Sequence, residues 1–187
     1  MDRATAVRVS YHQFAIVSEG AVALFEGDFS GLTFPSQGYL TILTGTANGP
    51  VHVRISTEKS LIDEMDISQW AIVEEGNFRA THPLRVETND GSVWDEFSEI
   101  RTLGMNCDIS YTAYARGRVA SWDLDLQEPQ EEHLIVMWRT EDERGTPSRR
   151  TIKADSLVSE TKEPDSDPPF DASDARVRTM GPFEFPG

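Results

Sequence analysis

The side chains able to do chemistry are scattered rather than clustered. His12, His52, His82 and His133 fall in different stretches, with no HxH, HExxH or His-Cys spacing that would preset a metal site. Cys107 is the single cysteine, so neither a disulfide framework nor a thiolate metal site can be assembled. It sits in a strand-like run, where a small apolar core role is expected. "DLD" at Asp123 to Asp125 and "DSD" at Asp165 to Asp167 offer oxygen ligands, but fewer than a calcium loop needs and without its glycine. No GxSxG, P-loop or GxGxxG motif is present, and among 32 acidic residues a chance carboxylate pair means little. The expectation is a protein that is not an enzyme and has no cofactor or metal. A metal-dependent enzyme built from scattered His and acids ranks last.

The most individual segment is "YARGRVASWDLDLQEPQEEHLIVMW". Tyr114, Arg116 and Arg118 bring positive charge into an acidic chain, and Glu131, Glu132 and Trp138 follow on a neighbouring strand. Two readings stand: a cross-strand ion-pair ladder on the solvent face, or arginines that hold an acidic ligand or orient a partner loop.

Charge narrows the partner class. Thirty-two acidic against 17 basic residues give a net charge of -15. Nucleic-acid binding depends on Lys and Arg neutralising phosphates, so direct contact with DNA or RNA is not expected. A basic protein would be attracted and its encounter accelerated. Solubility alone is the competing account of the same acidity. No stretch approaches the ~20 apolar residues of a membrane helix, and "MDRATAVRVS" has no apolar leader, so a cytoplasmic protein is expected.

The elements that must position these residues read as strands. Up to about Thr140 the chain alternates short runs rich in Val, Ile, Thr and aromatics, such as "AVRVSYHQFAIV", "YLTILTG", "VHVRIST" and "HLIVMW", separated by Gly, Asn, Asp and Pro. This pattern predicts an all-β domain over residues 1–140, an antiparallel β-sandwich with an open barrel as second choice. "NGPV" from Asn48 and "NDGSV" from Asn89 are expected hairpin turns. "TEKSLIDEM" and "VWDEFSEIR" carry a helical pattern of two turns at most. Residues 141–187 contain six of the ten prolines and few large apolar groups, and are expected to be a charged tail, extended or docked. Within it "TIKADSLVSE" could add an edge strand, and "MGPFEFPG" could dock through its Phe residues.

One local echo stands out: "YHQFAIVSEG" from Tyr11 and "ISQWAIVEEG" from Ile67 share six of ten positions. Either a duplicated unit or two strands with the same packing problem would produce it. In both cases Phe14, Ile16, Trp70 and Ile72 are expected to face inward, Gln13, Ala15, Gln69 and Ala71 outward, and the two copies to form paired core strands.

The run Ser10, Tyr11, His12, Gln13 and Phe14 resembles the opening strand of the competence protein J family. That resemblance covers less than a tenth of the chain and implies a binding function, inhibition of a DNA-entry nuclease, with no catalytic residues to carry over. Together with the charge it leads to an expected acidic inhibitor or immunity protein that occludes the cleft of a basic nuclease or nuclease toxin. Candidate contacts are Asp63, Glu64, Asp66, Glu74, Glu75, Asp90, Asp95 and Glu96, with Trp94 as an aromatic anchor. The alternative is a small-ligand or carbohydrate-binding β-sandwich in which Trp70, Trp94, Trp122 or Trp138 stacks on the ligand.

Overall fold

The computed structural model describes residues 4–23, 31–140 and 146–154. Eleven strands form one continuous mixed sheet, all-β as the alternation predicts: β1 (Thr5–Ser10), β2 (Gln13–Ser18), β3 (Thr33–Ser36), β4 (Tyr39–Leu43), β5 (Asn48–Ser56), β6 (Ile72–Ala80), β7 (Leu84–Thr88), β8 (Val93–Trp94), β9 (Cys107–Arg116), β10 (Glu132–Arg139) and β11 (Ser148–Ala154). The order β11-β6-β9-β10-β5-β1 makes one half and β3-β4-β2-β7-β8 the other. The strands of the two halves join where Ser10 meets Gln13 at the β1–β2 corner. Val7, Val51, Val53, Ile135 and Tyr111 of the first half pack in the same core as Phe14, Ile16, Ile42, Leu84 and Val86 of the second, so the sheet is folded back on itself.

The fold is nearly a closed barrel because its two ends meet. The Arg149 guanidinium of β11 donates to the Thr33 carbonyl of β3 at 2.7 Å, and Gln37 bridges Arg79 on β6. Closure covers sheet edges that would otherwise present unpaired backbone groups.

Several expectations are corrected. The run "AVRVSYHQFAIV" is two strands, broken at Tyr11 and His12, whose φ angles of 53° and 61° form a tight corner without glycine or asparagine. The corner is held from outside the hairpin: His12 N–H donates to Ala47 O at 3.2 Å and Thr44 N–H to His12 O at 2.7 Å. "NGPV" is not a turn but the start of β5, since β4 and β5 are not neighbours. Gly49, at φ 136°, is needed because a Cβ there would overlap the Leu126 carbonyl. The sheet is not wholly antiparallel, because β10 runs parallel to β5, with Ile135 opposite Ile55. "NDGSV" does form the β7–β8 turn, with Gly91 at φ 81° and Thr88 N–H donating to Ser92 O at 3.0 Å.

The echoed segments are not paired with each other. The first copy is β2, between β4 and β7; the second opens β6, between β9 and β11. Gly20 ends β2 at φ 85°, whereas Gly76 lies inside β6 beneath Tyr111, so the same residue serves a turn in one copy and a close approach in the other. Phe14, Ile16 and Ile72 face the shared core as expected, but Trp70 does not. It precedes β6 and packs with Val73, Tyr114, Leu134 and Val136 in a second cluster on the outer face of the first half.

The helical signals shrink to α1 (Leu61–Glu64), one turn that packs Leu61 and Ile62 on that second cluster, and a helical stretch over Asp95–Thr102 that buries Phe97 and Ile100. The edge strand foreseen in the tail exists, shifted toward the N-terminus, as β11 on β6. "MGPFEFPG" and the Asp165 to Asp167 cluster lie outside the described residues.

Candidate functional site

Strand alternation in "EEHLIVMW" sets the first polar constellation. Ile135 and Met137 of β10 face the main core, and the same parity turns His133 and Glu131 inward. Both are fully buried. His133 Nε2–H donates to Glu131 Oε1 at 2.8 Å, and the backbone N–H groups of Gly45 and Thr46 donate to Glu131 Oε2 at 2.9 and 3.0 Å. The Thr46 and Ser121 hydroxyls complete the shell at 3.2 and 3.1 Å. Arg118, 3% exposed, brings Nε to 3.8 Å from Glu131 Oε1.

Burial alone would raise the Glu131 carboxyl. The His133 charge and hydrogen bond and the Thr46 and Gly45 amides outweigh it, holding the group at about 2. Burial pushes the Arg118 guanidinium below its ordinary value, opposed by Glu131 and Glu74. Donors from the Gly45–Thr46 turn, Ser121 and His133 converge on this one buried carboxylate, so it ties that turn to the start of β10. The sequence reading of a solvent-face ladder holds for only one rung: Arg116 meets Glu132 at 2.5 Å on the surface, while Arg118 and Glu131 lie inside.

A second buried carboxylate sits at the closure. Glu74 was expected on the surface as a partner contact; it has no exposure, because its parity on β6 is that of Ile72 and Phe78. Its Oε2 accepts from the Thr33 amide at 2.9 Å and hydroxyl at 2.7 Å, and its Oε1 from Thr151 at 3.2 Å. Tyr111 Oη lies 2.9 Å from Thr33 Oγ1, and burial drives its phenol well above the ordinary range.

The other expected contact residues are divided among elements. Asp63 and Glu64 project from α1, and Asp66 accepts from the Ser68 amide at 3.0 Å, which with the Ser68 and Gln69 side chains keeps its carboxyl low. Glu75 pairs with Arg150 of β11 at 2.5 Å. Asp90 accepts from Thr88 Oγ1 at 2.7 Å and the Ser92 amide at 3.0 Å, stapling the β7–β8 turn. Asp95 and Glu96 are exposed just beyond it. Trp94, expected as an exposed anchor, is half-buried and packs against the core.

The tryptophan faces needed for sugar stacking are mostly covered. Trp70 lies under Arg116 at 5.1 Å, Trp138 under Lys59 at 5.2 Å, and His12 is 5.6 Å from Trp122. A groove of about 490 Å³ runs beside Trp138, with Asn77, Ser110, Arg149 and Arg150 on its walls. Asp123 and Asp125 do not converge as ligands: Asp123 faces His12 Nε2 at 3.3 Å and Asp125 accepts from Asn48 at 2.7 Å. Among the described residues no group of three or more His, Cys, Asp or Glu could hold a metal ion, and no helix is long and apolar enough to cross a membrane. The chain matches no family model, no curated protein and no solved structure.

Proposed function

We propose that this protein is an acidic binding protein that captures a basic protein partner, a nuclease or nuclease toxin, and neutralises it by occluding its active cleft. The observation that carries the reading is the disposition of charge. Arg79, Arg85, Arg101, Arg116 and Arg150 are tied to Asp108, Glu87, Glu19, Glu132 and Glu75, and Arg118 is buried. Asp63, Glu64, Asp95 and Glu96 stand exposed with no ion pair among the described residues. Part of the positive charge is thus matched locally by carboxylates, and the unpaired acids add to the negative field that reaches a partner. Carboxylates presented where phosphates would lie occupy a basic cleft without turnover, and opposite charge gives fast capture.

The test is a nuclease assay with a basic nuclease from the native host at ~50 mM salt. Stoichiometric inhibition that weakens by an order of magnitude or more as salt rises to ~0.5 M supports the reading. Undiminished nuclease activity at saturating protein, across the basic nucleases of that host, overturns it.

A further inference from the structure

The face of β2 turned away from the core carries a feature that the exposed acids do not explain. Ala15 sits opposite Thr41 on β4 and opposite Glu87 on β7. A small side chain between two larger ones leaves a trough, and the groove there has a volume of about 230 Å³. Because Phe14 pairs with Thr88, Gln13 and the β7–β8 turn at Asn89 and Gly91 lie at the same end of the groove, and Val22 and Ala23 add apolar lining.

Its floor holds unmatched polar atoms. Thr41 is 2% exposed, and among the described residues neither its Oγ1 nor the buried Gln13 Oε1 has a hydrogen-bond partner. A buried polar atom left unpaired costs roughly 1–3 kcal/mol, so the arrangement favours an occupant that satisfies both. Arg85 binds Glu87 through Oε2, at 3.0 and 2.7 Å, and among the described residues Oε1 has no hydrogen-bond donor. Two acceptor oxygens and a hydroxyl, with the Asp90 carboxylate on the adjoining turn, call for a cationic donor and repel an anion.

We infer that this groove is a subsite for a lysine side chain of the basic partner, its methylenes against Ala15 and Val22 and its ammonium on Thr41 Oγ1, Gln13 Oε1 and Glu87. A compact ammonium with three rotatable donors suits three separately placed acceptors better than the planar fork of arginine. The inference rests on the proposed capture of a basic protein and names where one of its side chains goes.

The probes are a blocked tetralysine peptide and a peptide of four diaminobutyric acid residues, which stays cationic near neutral pH but whose side chain is two methylenes shorter, titrated against the full chain by amide NMR. Tetralysine should bind about tenfold tighter and shift the Thr41, Thr88 and Gly91 amides. Ala15→Leu should abolish that preference while keeping a dispersed spectrum, and Thr41→Val, which leaves the trough open, should reduce it several-fold. Equal affinity of the two peptides, or a preference untouched in both variants, overturns the subsite. An Ala15→Leu protein that still inhibits the nuclease with full salt dependence refutes the subsite and leaves the capture reading standing. A lysine preference without inhibition of any basic nuclease refutes the capture reading alone.

Discussion

Glu131 and His133, two positions apart where β10 begins, meet at 2.8 Å with neither side chain exposed, and Arg118 lies 3.8 Å from the same carboxylate oxygen. Three ionisable groups thus sit together beside a core rich in Val, Ile, Leu and Phe, where the Glu131 carboxylate faces both His133 and Arg118. Removing one member leaves the rest uncompensated in low dielectric.

Glu131→Gln keeps the shape but takes away the anion opposite Arg118 and turns an amide toward the Gly45 and Thr46 N–H donors. Urea unfolding should show a loss of about 3–5 kcal/mol. Adding Arg118→Met should recover part of it, because the second change removes the stranded cation; strict additivity of the two losses would contradict the coupling.

Acid should act through the same carboxyl. Its folded value of about 2 lies below its ordinary value of 4.5, so the stabilisation is present in full above 4.5 and is lost as pH falls through the window toward 2. The size is on the order of 3 kcal/mol. Thermal melts between pH 6 and pH 2.5 should show this decline in the wild type and a shallower one in Glu131→Gln.

Gly76→Ala tests the closure. Its Cβ would stand 2.6 Å from Tyr111 Oη and overlap the Ser148 carbonyl, so β11 or the Tyr111 ring must move. A destabilisation of about 1–3 kcal/mol is expected, with faster amide exchange along β11. Gly91→Ala, where nothing lies within 4 Å, should cost less and through its φ of 81° alone.

Charge reversal separates surface acids from buried ones. Asp95→Lys with Glu96→Lys should slow association with the basic partner about tenfold at low salt, leave the melting temperature nearly unchanged, and lose its effect at high salt. Glu74→Lys should instead unfold the protein, because it places a cation beside the Thr33 and Thr151 donors at a site with no exposure. A folded Glu74→Lys protein impaired only in association would reverse this assignment.

The amino-acid sequence by itself determined the all-β class, since period-two alternation and β-branched composition are local properties that each strand carries alone. It also determined the β7–β8 turn, where Asn89, Asp90 and Gly91 supply the backbone freedom a hairpin needs, and the outward parity of Gln13 and Ala15. Tertiary structure decided what depends on distant partners. The corner at Tyr11 and His12 has no turn residue and exists because Ala47, Thr44 and Gly45 hold it from elsewhere in the chain. Glu74 and Glu131 read as surface charges because carboxylates usually are. Their burial required Thr33, forty-one positions before Glu74, and Gly45, eighty-six before Glu131, to bring donors to them. Parity alone pointed at both, since each shares a face with Ile72 or Ile135, but only the closing of the sheet supplied the hydrogen bonds that make a carboxylate tolerable there.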